Sequence, residues 1–188
     1  MKKIVVAVTG ASGSIYAQKL LKQMLAHSDR FSQIALIFSE TGRKVWEYEL
    51  GSIQEFSKPV EVYENTNIFS PVASGSAAYD AMIIVPCTMG TLGRIAAGTS
   101  PDLISRAADV MLKERRKLVL VTRELPYSLI HIENMRTVTL AGGIILPASP
   151  SFYSLPKSID ELVLTVVNRI LDIVGVETNH YRWGNETK

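Results

Sequence analysis

Five short runs of apolar residues recur along the chain, and polar residues do not alternate with the apolar ones inside them. The runs cover residues 4–8, 34–38, 82–85, 118–121 and 143–146. Continuous apolar runs of this length are typical of strands that are covered on both faces, as in a parallel sheet. The pattern therefore predicts five strands of one parallel sheet.

Helical periodicity fills the segments between these runs. Apolar residues recur three and four positions apart over 17–25, 104–112 and 159–174, a spacing that places them on one face of a helix. Strands that alternate with helices predict an α/β fold, an open parallel sheet flanked by helices in a Rossmann-like or flavodoxin-like three-layer sandwich. Residues 51–76 and 147–156 follow neither pattern and are expected to be loops. We expect residues 1–188 to form one domain.

The composition is that of an ordinary globular protein. Apolar residues make up 47% and charged residues 20% of the 188 positions, which is unlike a disordered chain and provides enough apolar surface for one core. The net charge of +2 is too small to attract nucleic acid or an anionic membrane over a long range. No apolar run approaches the ~20 residues that cross a bilayer. We therefore expect neither nucleic acid nor a membrane as a partner.

The expected cellular location follows from the cysteine count and the first residues. Cys87 is the only cysteine, so the chain cannot form an internal disulfide. The apolar run at 4–8 is too short for a secretory signal. A reducing cytoplasm is the expected location.

The turn after the first run is the first candidate for chemistry, because ligands of doubly wound sheets bind beyond the carboxyl ends of the strands. Residues 9–14 read Thr-Gly-Ala-Ser-Gly-Ser and precede a helix. Glycines permit close backbone approach, and the free N–H groups of a helix start attract phosphate. The same residues also suit a tight turn with a serine cap, and both interpretations stay open. Neither G-x-G-x-x-G nor the Gly-Lys-Ser/Thr of a Walker loop is present.

Two further turns carry hydroxyl groups. Ser39 could contact a cofactor or form a turn, and Glu40 could hold a ribose or be solvated. Residues 86–93 read Pro-Cys-Thr-Met-Gly-Thr-Leu-Gly and repeat the glycines and hydroxyls of the first turn. Cys87 could be a nucleophile, although no histidine is near it in sequence and buried structural cysteines are common.

Charged residues follow the fourth run. Arg123 could bind a phosphate and Glu124 could move protons, or the two could form a plain surface ion pair. The three histidines are far apart in the sequence and show no metal-binding spacing, so no metal site is expected.

Together these turns resemble the flavin prenyltransferase family, often called UbiX. The resemblance rests on motifs that follow one another along nearly the whole chain: TGASG at 9–13, ASGS at 73–76, PCTMGTL at 86–92, RAADV at 106–110, LKERR at 112–116, RE at 123–124, HIENM at 131–135 and PSFY at 150–153. Each motif alone is weak, and the ordered set is specific.

The resemblance implies a transferase that binds reduced FMN and moves a dimethylallyl group from dimethylallyl phosphate to N5 and C6 of the flavin, without a metal. It also implies that the prenylated FMN is delivered to a UbiD-type decarboxylase. Members of the family assemble as homo-oligomers, commonly dodecamers, so the same is expected of this chain.

The resemblance also assigns roles residue by residue. The implied flavin contacts are Gly10, Ala11, Ser12, Ser39, Thr88, Met89, Gly90, Thr91 and Arg123. The implied contacts of the prenyl phosphate are Lys113, Tyr153 and Arg169. Glu124 is implied to be an acid/base that works with Ser12, and Glu49 and Trp183 match further active-site positions.

Several of these residues have simpler interpretations. Arg169 could instead extend its charge to solvent or pair with Asp172 three residues later. Tyr153 could be a packed aromatic of a proline-rich loop, and Trp183 could be an oligomer contact. Two positions depart from the family pattern, since Thr88 stands where many relatives carry Ser and Ile68 where some carry Trp.

Two other functions stay open beside the transferase. A flavin-binding or electron-carrying protein would use the same turns, but it would not need the second phosphate site implied by Lys113, Tyr153 and Arg169. An NAD-dependent dehydrogenase could use Glu40, but the missing G-x-G-x-x-G counts against it.

Overall fold

Six parallel strands form one sheet in the computed structural model, which describes residues 1–182 and residue 184. The strands are β1 (Lys2–Val8), β2 (Phe31–Phe38), β3 (Val60–Glu64), β4 (Ala81–Cys87), β5 (Lys117–Thr122) and β6 (Ile144–Ile145). The α-helices are α1 (Ser14–Ala26), α2 (Glu40–Leu50), α3 (Met89–Ala96), α4 (Leu103–Lys113), α5 (Leu129–Leu140) and α6 (Ile159–Val174).

The order of the strands creates a switch point in the middle of the sheet. The order is β3-β2-β1-β4-β5-β6, and every neighbouring pair is parallel. The chain moves outward from β1 in one direction and then restarts at β4 in the other. The loops that follow β1 and β4 are therefore neighbours at the carboxyl edge, where sheets of this kind bind ligands.

Helices cover both faces of the sheet. One apolar cluster packs α1, α2 and α6 against the sheet, and includes Leu20, Trp46 and Ile170. The other packs the opposite face against α3, α4 and α5, and includes Leu92 and Ile104. This double cover explains the continuous apolar runs, because a strand buried on both faces has no position for a polar side chain.

The predicted α/β sandwich is confirmed, although the apolar pattern missed several of its elements, among them β3, α2 and α5. The expectation of only loop over 51–76 was wrong, because β3 lies there as an edge strand beside β2. Val60 is buried but Glu61 and Glu64 are exposed, so β3 lacks the apolar run of an inner strand. Helix α5 also escaped prediction, because Val138 is its one buried residue.

No helix in the described part of the chain is both long enough and apolar enough to span a membrane.

Candidate active site

A buried hydroxyl joins the loops that follow β1 and β4. Thr9 Oγ1 donates to the carbonyl oxygen of Pro86 at 2.7 Å and accepts from the N–H of Thr88 at 2.9 Å. Because Thr9 is almost fully buried, these hydrogen bonds are shielded from water and fix the two loops relative to each other.

The start of α1 receives its cap from a distant residue. Gly13 adopts a φ of +111° and no side chain next to the helix caps it. The carboxylate of Glu49, in the last turn of α2, accepts from the N–H groups of Gly13 at 3.0 Å and Ser14 at 2.8 Å. The protein's own carboxylate therefore occupies the anion position at this helix start, in place of the phosphate or the serine cap that the sequence suggested.

These hydrogen bonds also set the charge of Glu49. Burial alone would raise the pKa of its carboxyl, but hydrogen bonds from the Ser12 side chain and from the N–H groups of Ser14 and Gly13 outweigh burial. The pKa of Glu49 is therefore lower than usual. The carboxylate is charged at neutral pH and links α1 to α2.

The loop after β2 contacts the first loop closely. Ser39 Oγ accepts from the N–H of Gly42 at 2.9 Å and lies 3.3 Å from Thr41 Oγ1, so Ser39 caps α2. A Cβ at position 10 would lie 2.6 Å from Thr41 Oγ1, and one at position 42 would lie 2.3 Å from the carbonyl oxygen of Val8. Glycine is required at both positions because the loops touch there.

The loop after β4 contains a chain of polar side chains. Thr88 Oγ1 accepts from the N–H of Thr91 at 3.0 Å and donates to Thr91 Oγ1 at 2.9 Å, which caps α3. Arg94 Nη2 donates to the same Thr91 Oγ1 at 3.2 Å. The side chain of Met89 is buried in the core, so its backbone rather than its side chain is available to a ligand.

Arg123 and Glu124 stand at the end of β5. Arg123 Nε donates to the carbonyl oxygen of Ser12 at 3.1 Å, which ties this loop to the first one. Glu124 Oε1 accepts from the N–H of Leu125 at 3.1 Å. The alternative of a surface ion pair between Arg123 and Glu124 is not realised among residues 1–182 and 184.

Cys87 and Glu40 have surroundings that argue against chemical roles. Burial raises the pKa of the Cys87 thiol to about 12, so the thiol stays protonated at neutral pH and is a poor nucleophile. Glu40 is exposed and pairs with Lys44 at 2.6 Å, one turn along α2. The hydrogen bond from Lys44 lowers the pKa of Glu40.

A cleft of about 840 Å³ lies beside α6. Tyr153 and Arg169 both line it, and the N–H of Ser151 donates to Thr165 Oγ1 at 3.1 Å, which holds the proline-rich loop against the helix. The possible pairing of Arg169 with Asp172 is wrong, because Asp172 pairs with residues of the C-terminal segment instead.

Lys113 lies at the other edge of the sheet. It ends α4, directly before β5 begins, and its Nζ pairs with Glu114. Arg116 Nη2 donates to the carbonyl oxygen of Gly75 at 3.0 Å. Lys113 therefore belongs to a cluster with the 73–76 segment at the amino edge, away from the loops at the carboxyl edge.

The structure thus sorts the predicted residues into three places. The carboxyl edge brings together Gly10, Ala11, Ser12, Ser39, Glu49, Thr88, Met89, Gly90, Thr91, Arg123 and Glu124. Tyr153 and Arg169 share the cleft beside α6, and Lys113 is remote from both. Trp183 lies outside the described residues. Sequence reasoning missed Thr9 and Arg94, although Arg94 stands three residues after Thr91 on one helix face.

A family model described as Flavoprotein matches residues 1–172 of the chain. A protein of Methanocaldococcus jannaschii named flavin prenyltransferase UbiX is 44% identical over 185 residues, which cover 97% of this chain and 98% of that protein.

Two solved structures match over nearly their whole length. AnUbiX in complex with FMN and dimethylallyl pyrophosphate has a TM-score of 0.84 and 39% identity, covering 97% of this chain and 98% of that one. A dodecameric FMN-dependent UbiX-like decarboxylase of Escherichia coli O157:H7 has a TM-score of 0.87 and 37% identity, covering 96% and 98% respectively.

Proposed function

The chain belongs to the UbiX-type flavin prenyltransferases of the flavoprotein family, and we propose from this membership how its residues carry out the reaction. It is a prenyltransferase that uses reduced FMN and transfers a dimethylallyl group from dimethylallyl phosphate to N5 and C6 of the flavin. The prenylated FMN serves as cofactor of a UbiD-type decarboxylase. The observation that carries this function is the end-to-end match to such enzymes, on a chain whose glycine and hydroxyl loops meet at the switch point of the sheet.

The residues at the carboxyl edge fit FMN. The Ser39 and Thr88 hydroxyls and the Arg123 guanidinium suit a phosphate tail and a polar ring edge, and we assign a backbone contact to Gly10. Reduced FMN supplies the electron-rich ring that receives the allyl group. We assign the remaining flavin contacts to the backbone of Ala11, Ser12, Met89, Gly90 and Thr91.

Glu124 is the proposed acid/base. Its carboxylate is half-buried at the end of β5, and Arg123 beside it is bonded to the carbonyl oxygen of Ser12. Glu124 would accept the proton displaced from the flavin as the new ring closes, with the Ser12 hydroxyl as its partner. Glu49 would hold the first loop in place through Gly13 and Ser14.

Tyr153 and Arg169 are the proposed contacts of the prenyl phosphate. Negative charge grows on the leaving phosphate as the allylic C–O bond breaks, and a guanidinium with a phenol hydroxyl would stabilise it. Trp183 would complete the site with an aromatic face, which favours an allylic cation without reacting with it as water does.

Lys113 can join this phosphate site only from another copy of the chain. It ends α4, which covers the face of the sheet opposite α6 and the Tyr153–Arg169 cleft, and it lies at the amino edge, whereas the flavin loops lie at the carboxyl edge. Helix α5 and the loop before it expose Leu125, Leu129, Ile130, Ile132 and Leu140, an apolar surface of the kind that protein contacts cover. Together with the dodecameric relative, these features support a homo-oligomer, a dodecamer in our proposal.

The buried thiol of Cys87, left without a second cysteine, is compatible with a reducing compartment. We place the enzyme in the cytoplasm.

The direct test is to incubate the purified protein with reduced FMN and dimethylallyl phosphate without oxygen, and to weigh the flavin by mass spectrometry. The expected product is heavier than FMN by one C5H8 unit, with one phosphate released. Oxidised FMN is the control, because its ring is electron-poor and should stay unchanged. A bound FMN of unchanged mass under reducing conditions would instead favour a flavin carrier.

A further inference from the structure

The C-terminal segment folds back onto α6 at defined points. The helix ends at Gly175, whose φ is +74°, a conformation that favours glycine. Val176 is buried in the core, and Arg30 Nη1 donates to the carbonyl oxygen of Glu177 at 2.6 Å. The residues that follow therefore leave the helix in a fixed direction, along the wall of the cleft that holds Tyr153 and Arg169.

Asp172 fastens this segment beside the cleft. Its Oδ2 accepts from Nε2 of His180 at 3.1 Å, and its Oδ1 accepts from Nη2 of Arg182 at 2.7 Å. His180 Nδ1 lies 2.9 Å from Thr178 Oγ1, so the ring is held on both sides. The Asp172 side chain is only 18% exposed, which makes these contacts stronger than those of a surface pair.

The same contacts determine whether Asp172 can neutralise the charge of Arg169. An Arg and an Asp three residues apart on a helix face commonly pair, and such a pair would neutralise the cleft. Both oxygens of Asp172 are already engaged, by His180 and Arg182, and Arg169 has no ion pair within the part of the chain that the structure describes. Its charge therefore remains available at the wall of the cleft.

We propose that Asp172 is a positioning residue of the prenyl-phosphate site. It fixes Arg182 at the cleft wall and, because its oxygens are occupied, leaves Arg169 to bind the dianionic phosphate. This inference rests on the proposed function for its ligand, but the docking of the C-terminal segment does not depend on it.

Replacing Asp172 with Asn gives a test in which two explanations predict opposite changes in KM for dimethylallyl phosphate. If only the local charge matters, removing a carboxylate beside Arg169 makes the cleft more positive and lowers KM for dimethylallyl phosphate. If Asp172 positions the segment, KM rises by roughly tenfold, the size expected for one lost charge-assisted hydrogen bond. FMN affinity and kcat should change little.

Asp160→Asn is the matched control, because Asp160 also forms an ion pair on α6, with Lys19 at 2.5 Å, outside the cleft lining. It should leave KM unchanged. Arg182→Gln should raise KM in the same direction as Asp172→Asn, because it removes a cation and releases one Asp172 oxygen toward Arg169.

A readout independent of turnover is the rate at which trypsin cuts after Arg182, followed by mass spectrometry of the intact protein. We expect Asp172→Asn to be cut several times faster than the wild type, and Asp160→Asn to be cut at the wild-type rate. Equal cleavage of all three proteins would overturn the docking role, and faster cleavage with an unchanged or lowered KM would overturn the positioning role.

If the wild type makes no prenylated flavin, the proposed function fails, and the affinity for inorganic phosphate is measured in place of KM. Weaker phosphate binding by Asp172→Asn would then support the positioning role, and equal or tighter binding would refute it.

Discussion

Glu49 illustrates how one side chain can join two loops of the site. It lies in the last turn of α2, yet it accepts from the backbone at the start of α1. No local spacing in the sequence predicts this contact, because helix α1, strand β2 and most of α2 lie between the two partners. The family resemblance implies an active-site position for Glu49, and the structure shows that its carboxylate caps α1.

Replacing Glu49 with Gln should destabilise the protein at neutral pH by about 1 kcal/mol or less, the usual value of a helix cap reduced by solvent exposure. The pKa of Glu49 is depressed in the folded state, so its contribution is fully present above the unfolded pKa and is lost as pH falls through the folded one. The difference between variant and wild type should therefore shrink in acid. Urea unfolding at pH 7 and pH 3 measures it.

Glu47→Gln is the control for that experiment, since Glu47 is an exposed carboxylate of the same helix. Its stability difference from the wild type should be small at both pH values. A Glu49→Gln protein that is as stable as the wild type at pH 7 would show that the cap contributes nothing.

Replacing Glu124 with Gln tests the acid/base role. The amide keeps the shape of the side chain but cannot take a proton, so turnover should fall by roughly 10²–10⁴-fold, the usual contribution of general acid–base catalysis. FMN binding, followed by flavin absorbance, should persist. Glu47→Gln on the exposed surface of α2 is the comparison, and turnover equal to that of this control would remove Glu124 from the proton-transfer step.

How much of the site was predictable depends on how far apart its partners lie in sequence. Ser12, Thr88 and Arg123 were identified because each follows a buried run, and position after a strand is a local signal. The contacts of Thr9 with Pro86 and of Asp172 with His180 were not predictable, because the first depends on strand order. The second depends on the turn at Gly175.

At the scale of elements, the strands and helices that could be predicted from the sequence are those that are deeply buried. Strands β1, β2, β4 and β5 are buried on both faces and gave clear apolar runs. Edge strand β3 and helix α5 are largely exposed within one chain, so buried apolar positions do not stand out from polar ones in their sequences. In the homo-oligomer that we propose, a neighbouring copy would cover α5, and the helix would then need apolar residues on its outer side as well.

Gly42 shows how tightly the elements of the site are packed. A methyl group there would lie 2.3 Å from the carbonyl oxygen of Val8, so Gly42→Ala must push α2 away from β1. We expect a loss of about 1–3 kcal/mol of stability, the usual range for overpacking, together with weaker FMN binding. Gly93→Ala meets its nearest atom at 3.4 Å and should be tolerated. Equal unfolding midpoints for the two variants would contradict the close packing.

At the scale of the whole molecule, one chain holds all the predicted site residues that the structure describes but does not bring them to one place. Lys113 and the flavin loops lie at opposite edges of the same sheet. A closed homo-oligomer resolves this, because repeated contacts can place the amino edge of one copy against the carboxyl edge of the next. Each complete site would then combine residues from at least two copies.

Mixing two inactive variants tests this sharing directly. Lys113→Ala and Arg123→Ala each remove one half of every site when they assemble alone, so each should turn over slowly. If the two are unfolded and refolded together, random assembly gives about one site in four an intact Lys113 from one copy and an intact Arg123 from another. Turnover of the mixture should therefore recover to about a quarter of the wild-type rate, while the separately refolded variants mixed afterwards stay slow. Native mass spectrometry should confirm that both variants are present in one oligomer. If turnover does not recover in such mixed oligomers, Lys113 and Arg123 do not act across a subunit contact.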